Sequence, residues 1–507
     1  MINKSNPSVS PLLIANRGEI AVRIIRSARE LGIPTVAVYS EADADAPHVH
    51  LADEAIPIGH AEAAKSYLNV DRILAAAKES GAKAIHPGYG FLAENADFAQ
   101  SVIDAGLVWV GPPPAAIRAM GDKAGARALM QEAGVPVLPG YQGADDDASL
   151  KKAAKDIGYP LLVKAAAGGG GVGMRVVNKA ADLAEAIQAA RRTAENAFGD
   201  GHLLLEKYLP RAHHVEVQVL GDQHGNLLHL FERECSVQRR HQKIIEETPS
   251  PLLDADLRAR MADAALAAAR SVDYTNAGTI EFLLDPATRD FYFLEMNTRL
   301  QVEHPITELS TGLDIVQWQL SIAAGEKLPF TQNDIQQSGH SIECRVYAED
   351  PAAAFLPQAG RIHKLLLPES DDIRIDSGVA EGQQVSAFYD PMLAKIIVHA
   401  ADRPAAIARM QSALHETAFL GLTTNIEFLQ TVLAHPDFHA AQADTQFVER
   451  ELTDWRADFS LPTKALLAAA LIEIGAQADG QDDDQDPSED IYSPWSREDA
   501  FRLGSHR

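Results

Sequence analysis

Four consecutive glycines, Gly168 to Gly171, stand between the apolar run Tyr159-Pro160-Leu161-Leu162-Val163 and the run Met174-Arg175-Val176-Val177. Gly168, Gly170 and Gly173 match G-x-G-x-x-G, but the residues after Gly173 favour a strand, whereas a dinucleotide-binding loop opens a helix. A P-loop is excluded, because the chain contains no Gly-Lys dipeptide. The glycines therefore join two strands and form a flap. Such a hairpin folds over phosphates and offers backbone N–H groups, here those of Gly169, Gly170, Gly171 and Gly173, while Lys164 adds a point charge. The competing reading is a mobile surface turn without a ligand. It leaves the large ordering entropy of four glycines without a purpose.

The flap sits inside an ordered succession of patterns. Pro11–Asn16, Pro34–Ser40, Lys83–Pro87 and Leu107–Pro112 read as strands, and Ile20, Val22, Ile24 and Ile25 begin a helix that runs to Gly32. Strands separated by helices imply a parallel, helix-covered sheet, in which ligands bind beyond the strand C-termini. Asn16-Arg17-Gly18-Glu19 and His86-Pro87-Gly88-Tyr89-Gly90 stand there. A small appended unit covers about 136–208, with strands on both sides of the flap and another in His202–Leu209. Hairpins turn at Asp222–Asn226 and at Asp285–Asp290, with a helix at about 254–271 between them. A further β-rich domain begins near Gly339 and ends near 450. Residues 477–490 carry seven acidic residues and no basic one, the composition of a solvated linker, and 491–504 regain aromatics as a docking segment would.

The chain has 507 residues, a soft prior of roughly three to four domains. Its 46% hydrophobic and 23% charged content excludes global disorder. A formal charge of −26 argues against nucleic-acid binding. Two cysteines, Cys235 and Cys344, exclude a disulfide scaffold. There is neither a run of the ~18 apolar residues a membrane span needs nor the apolar core of a signal peptide, so the expectation is a soluble cytoplasmic protein without a membrane partner.

The hairpin Gly278–Asn297 carries the most chemistry. Glu281 and Glu295 are ionisable groups within apolar strands, and a turn from Asp285 to Asp290 brings them opposite one another. Like charges so placed destabilise a sheet unless a cation lies between them. Asn297 shares their face at i+2. Two carboxylates and an amide oxygen, with water and phosphate, make a Mg²⁺ site; the alternative is a pair of half-exposed glutamates bound to lysines. The same alternation continues through Arg299, Gln301 and Glu303, a polar row that is costly to bury without a ligand. Arg299 can hold a small planar oxyanion bidentately, with Glu303 beside it as general base. In Ile342–Asp350, Arg345 alternates with the apolar residues and points off their face. Its bland reading is a strand-surface salt bridge with Glu343 or another carboxylate.

The runs IANRGEIAVRIIR, HPGYGFLAEN, KAAAGGGGVGMRVV, EKYL, RECSVQRRHQKIIEE, FLEMNTRLQVEHPITE and ECRVYAEDP resemble the biotin carboxylases over about residues 10–450. The resemblance implies a Rossmann-like N-terminal domain at 1–120, an ATP-grasp domain at 121–338 with a mobile lid at 136–208, and a β-rich C-terminal domain at 339–450. Residues 451–507 then form a helical tail, acidic linker and docking segment. It also implies a reaction: ATP phosphorylates bicarbonate, and the CO₂ released from carboxyphosphate is captured by N1′ of biotin. Lys123 and Lys164 match phosphate-contacting lysines. Glu206, Lys207 and Leu209 match the segment bordering adenine, and His214, Gln238 and His241 match nucleotide-site positions. Lys243 matches the lysine that reaches the transferred phosphoryl group. Glu281, Glu295 and Asn297 match the Mg²⁺ or Mn²⁺ ligands; Arg299, Gln301 and Val302 match the bicarbonate pocket, with Glu303 as its base; Arg345 matches the arginine that stabilises the biotin enolate. Val172 departs from the arginine often found in the family's loop, and Cys235 reads as a small core residue.

No Met-Lys dipeptide marks a biotinylated lysine. The biotin carboxyl carrier and the carboxyltransferase are therefore expected on other segments or subunits, within a homo-oligomer or larger carboxylase complex. SPWSREDAFRLG resembles the linker that follows biotin carboxylase in methylcrotonyl- and geranyl-type α-subunits. Two other classes compete: a non-biotin ATP-grasp ligase, which shares the flap and the Glu–Glu–Asn site, and an inactive scaffold subunit, which has no need for buried like charges.

Overall fold

The computed structural model describes residues 6–165, 174–198, 201–240, 242–457, 467, 468 and 471. Its first strand, β1 (Leu12–Ile14), is wholly apolar and wholly buried, as befits the centre of a parallel sheet. β2 (Thr35–Ser40), β3 (Glu54–Gly59), β4 (Ala84–His86) and β5 (Val108–Trp109) complete that sheet in the order β3-β2-β1-β4-β5. The edge strand β3 was not among the expected strands: Pro57 and a half-exposed alternation obscured it. Proline is tolerated there because an edge strand has a side that needs no donor. Helix α1 (Gly18–Glu30) follows β1 and buries Ile20, Ala21, Ile24, Ile25 and Ala28.

The appended unit is an antiparallel sheet of β6 (Gly140–Tyr141), β7 (Leu161–Ala165), β8 (Arg175–Val177) and β9 (Leu203–Lys207), in the order β6-β9-β7-β8. Leu150, Ala154, Ile187 and Ala190, from the helices Asp147–Ile157 and Leu183–Phe198, close its core. The flap glycines, the acidic linker and the docking segment lie outside the described residues.

The largest element is an antiparallel sheet of eight strands. β10 (His213–Gly221), β11 (Leu227–Arg239), β12 (Gln242–Thr248), β13 (Asn276–Asp285), β14 (Asp290–Asn297) and β15 (His340–Tyr347) join the strands Met392–Ala400 and Ile373–Ser377. The order is β14-β13-β10-β11-β12-β15, then Met392–Ala400, then Ile373–Ser377. No break marks the region of Gly339, since β12 pairs directly with β15, Ile245 opposite Cys344. Every residue of β10 and of β15 is buried, because helices cover both faces. The helix Arg403–Glu416 packs on one face of β15 and the helix His304–Thr311 on the sheet as well. By its contacts, Met1–Trp455 forms one compact unit; the second unit, Arg456–Arg507, has few described residues.

The β13–β14 pairing contains a decisive irregularity. Asp285 faces Asp290, and counting back from that pair would set Glu281 against Leu294. A bulge between Glu281 and Phe282 shifts the register by one, so Glu281 faces Glu295 instead. Both Leu294 and Glu295 are consequently exposed.

Candidate active site

The register of the large sheet lines up charge before any ligand is considered. Glu295 on β14 faces Glu281 on β13; Glu281 faces Glu216 on β10; Glu216 faces Arg233 on β11. Glu216 and Arg233 are fully buried and form an ion pair. Lys243, from β12, reaches into this row. Its Nζ donates to Glu216 Oε2 at 2.5 Å, Glu281 Oε1 at 2.8 Å and Glu303 Oε1 at 2.7 Å. Burial opposes the lysine's charge, but the three carboxylates outweigh it and hold its pKa well above the usual lysine value. Burial likewise opposes the Glu281 anion, while Lys243 and His214, whose Nε2 lies 2.8 Å from Glu281 Oε2, hold its carboxyl well below the ordinary range.

Glu303 sits at the N-cap of the helix His304–Thr311 and is fully buried. Its second oxygen accepts from Arg345 Nη2 at 2.9 Å, so its carboxylate is gripped between two cations. Burial pushes its pKa up; Lys243, Arg345 and Arg233 override that and hold it well below the usual carboxylate range. Arg345 also donates through Nε to Glu246 Oε1 at 2.7 Å. The surface salt bridge considered for Arg345 is therefore replaced by a buried one. Strand β15 lies between two covered faces, so alternation there separates apolar core from a polar interior rather than from water.

The expected polar row is not one strand face. β14 ends at Asn297, and the chain turns before the helix at His304; side chains bring the row together instead. Asn297 Nδ2 donates to Glu281 Oε1 at 2.7 Å. Arg299 donates to Asn297 Oδ1 at 2.8 Å, to Gln301 Oε1 at 3.0 Å and to Glu94 Oε2 at 2.8 Å. Gln301 Nε2 is buried with no hydrogen-bond partner, a donor that an oxyanion beside Arg299 would satisfy. Val302 offers its carbonyl to Lys395 at 2.7 Å.

The other expected positions are spread along neighbouring elements. Lys164 on β7 bonds Glu206 on β9, and Arg127 lies 3.6 Å from the other oxygen of Glu206. Lys207 donates to the Tyr159 carbonyl at 3.1 Å, and Leu209 is half-buried. His214 and Gln238 are buried on β10 and β11. The side chain of Lys123, Gly169, Gly170, Gly171, Gly173 and His241 lie outside the described residues. Cys235 is a buried free thiol; burial, then Glu216, pushes its pKa well above the ordinary value.

Three participants went unread in the sequence: Glu216, Arg233 and Glu246. The signal for Glu216 was available, since in Val215-Glu216-Val217 it interrupts an apolar strand just as Glu281 does. Among the described residues, His214, Glu216 and Glu281 bring one ligand atom each within 4.8 Å of one another. Carboxylate oxygens are hard ligands of the kind that suit Mg²⁺ or Mn²⁺.

Three family models match the chain in succession: biotin carboxylase N-terminal domain at 8–117, carbamoyl-phosphate synthase L chain ATP-binding domain at 122–331, and biotin carboxylase C-terminal domain at 343–450. The mitochondrial methylcrotonoyl-CoA carboxylase subunit alpha of Dictyostelium discoideum is 49% identical over 502 residues, covering 98% of this chain and 70% of that protein. A biotin carboxylase of Halalkalibacterium halodurans is 51% identical over 442 residues, covering 87% of this chain and 97% of that one. Among solved structures, the biotin carboxylase domain dimer of the Hydrogenobacter thermophilus 2-oxoglutarate carboxylase, in complex with MgADP, ADP and bicarbonate, superposes with a TM-score of 0.79 at 44% identity, covering 90% of this chain and 99% of that one. A buried carboxylate row joined by one lysine, in a chain whose consecutive segments match both ends of that domain and its ATP-binding middle, makes this protein a member of the biotin carboxylase family.

Proposed function

We propose that the chain carboxylates biotin on a carrier protein, using ATP, bicarbonate and Mg²⁺ or Mn²⁺. The observation that carries this reading is the placement of Glu303, ionised and gripped between Lys243 and Arg345, beside the unpartnered amide of Gln301. Lys123, Lys164 and the amides of Gly169, Gly170, Gly171 and Gly173 hold the ATP phosphates. Glu206, Lys207 and Leu209 border the adenine, with His214, Gln238 and His241 lining the nucleotide site. Glu281, Glu295 and Asn297 hold the divalent cation, which neutralises phosphate charge when bound. Arg299, Gln301 and the Val302 backbone seat bicarbonate.

Glu303 takes the bicarbonate proton as the oxygen attacks the γ-phosphorus and ADP leaves. Lys243 then follows the transferred phosphoryl group. Carboxyphosphate breaks down to CO₂ and phosphate. That phosphate takes the N1′ proton of biotin, Arg345 neutralises the enolate oxygen so formed, and N1′ captures the CO₂.

The domain division 1–120, 121–338, 339–450 and 451–507 belongs to the same proposal and follows the order of the matched models. So do a homo-oligomer, a carrier and carboxyltransferase partner, and a cytoplasmic setting; no described helix is long and apolar enough to cross a membrane. The test is ATP cleavage by the purified chain. It is expected to require bicarbonate and to rise with free biotin; bicarbonate-independent cleavage would favour a different ATP-grasp ligase, and nucleotide binding without cleavage a scaffold.

A further inference from the structure

The loops after β1 and β4, which stand where open parallel sheets bind ligands, are spent on contacts within the protein. Asn16 Nδ2 donates to the carbonyls of Pro87 and Tyr89, each at 2.7 Å. Arg17 pairs with Asp43. Glu19 accepts from the Tyr89 hydroxyl, and its Oε1 lies 3.2 Å from Lys395 Nζ. Backbones also close in: a Cβ on Gly378 would collide with the Glu19 nitrogen. Through Glu19 these loops reach Lys395, a residue to which none of the site readings above gives a role.

Lys395 has no exposed side-chain surface. Its ammonium donates to the Val302 carbonyl at 2.7 Å and lies 3.7 Å from Asp376 Oδ2 as well as 3.2 Å from Glu19. Burial opposes that charge, and Glu19, Glu343 and Asp376 sustain it. A backbone carbonyl needs only a neutral donor. Burying a whole ammonium for it is costly and is offset by carboxylates, Asp376 on the neighbouring strand and Glu19 from the far N-terminal segment.

The sheet register shows what the arrangement achieves. Lys395 is the cross-strand partner of Arg345 on β15, so both cations rise from one rung onto one face. Like charges directly opposite repel, and here the anions between and around them hold the rung together. Arg345 grips the Glu303 carboxylate at 2.9 Å; Lys395 grips the carbonyl of the preceding residue at 2.7 Å. Glu303 is thus held at its side chain and at its backbone by two adjacent positions of one rung.

We infer that Lys395 is a positioning residue for the bicarbonate step: it fixes the Gln301–Glu303 backbone from the sheet, and Glu19 of the N-terminal segment holds it in place. The inference rests on Glu303 being the base of that step.

The test compares Lys395→Met/Glu19→Gln, which removes a cation and an anion together and so leaves no new net buried charge, with Lys395→Arg, which keeps the charge but moves the donor. Each folded variant is assayed for ATP cleavage against bicarbonate and ATP concentration, and for the melting shift given by MgADP. Misplacement of a reacting group by about an ångström costs on the order of 10²-fold. The double variant is expected to lose about that in bicarbonate-dependent turnover, and Lys395→Arg roughly 10-fold or more, with the ATP KM and the MgADP shift at wild-type values. Wild-type turnover in a folded variant overturns the inference. Loss of turnover together with the MgADP shift also overturns it, because that is the mark of a general structural role. Wild-type protein that cleaves ATP without bicarbonate would instead defeat the reading of Glu303 on which it rests.

Discussion

Replacing Arg345 by alanine separates the two halves of the reaction and tests the buried rung at the same time. At 2.9 Å, the Arg345–Glu303 pair carries about 6 kcal/mol of Coulomb energy at an effective dielectric of 20. Desolvation offsets part of that, and breaking a buried pair by removing one member costs ~3–5 kcal/mol. Two carboxylates are stranded by the change, but unequally. Glu303 keeps Lys243, whereas Glu246 loses the donor to Oε1, and its Oε2 already lacks one. Glu246 therefore takes up a proton, and the variant folds with a lowered melting temperature. Glu303, freed of one of the cations that hold its pKa down, becomes a stronger base, and the acid limb of bicarbonate-dependent ATP cleavage moves to higher pH. Lys243 still keeps that limb below neutrality, so cleavage near neutral pH persists within about 10-fold of wild type. Carboxybiotin formation, which needs the arginine charge at the enolate oxygen, falls by ~10²–10³-fold. Both activities are measured on one preparation across pH. Parallel loss of the two would refute the separate roles, and an unshifted acid limb would refute the electrostatic coupling of Arg345 to Glu303.

Glu303→Gln removes the base and is expected to lower ATP cleavage and carboxybiotin formation together by ~10²–10⁴-fold; retention of either activity contradicts its role. Glu295→Gln keeps the shape of an exposed residue, so the melting temperature should hold while Mg²⁺-dependent turnover disappears; turnover near wild type would remove Glu295 from the metal site. Burial, opposed by Arg345, lifts the Glu246 carboxyl from its ordinary 4.5 to about 7. In that window the folded chain binds more protons than the unfolded one, so this group's contribution to stability falls as pH rises and levels off above about 7. The melting temperature of Glu246→Gln relative to wild type should accordingly rise across the same window, and parallel curves would show that Glu246 is not held protonated.

Local pattern made the strands and hairpins legible, since apolar runs and turn residues are nearest-neighbour information. The facing of Glu281 and Glu295 was readable only approximately: a bulge, not the turn count, gives the final register. β3 was hidden because an edge strand with a proline and exposed alternate residues carries a weak hydrophobic signal. Sequence pattern could not reveal that β12 and β15 are neighbours, because nothing local records pairing across so long a stretch of chain. That one pairing accounts for Glu246 and Lys395, though not for Glu216 and Arg233, which face each other across β10 and β11. It brings Glu246 to Arg345 and, through the next strand, Lys395 to Val302. In Met392–Ala400 a lysine amid aliphatic residues reads as a surface charge until the strand is known to be interior.

The unbroken eight-stranded sheet also shapes how the chain must be made. During synthesis β12 emerges well before β15, an interval of about 5–20 s at ~5–20 residues per second. Until then its outer edge presents unpaired N–H and C=O groups, a template on which another chain could add a strand. β12 is Gln-Lys-Ile-Ile-Glu-Glu-Thr, and three of its seven residues, Lys243, Glu246 and Glu247, are charged. Charged side chains on an open edge discourage such pairing. The residues that later grip Arg345 and reach across the carboxylate row thus guard the nascent chain against aggregation in the interval before their partners exist, so neutralising them endangers yield from the ribosome as well as turnover.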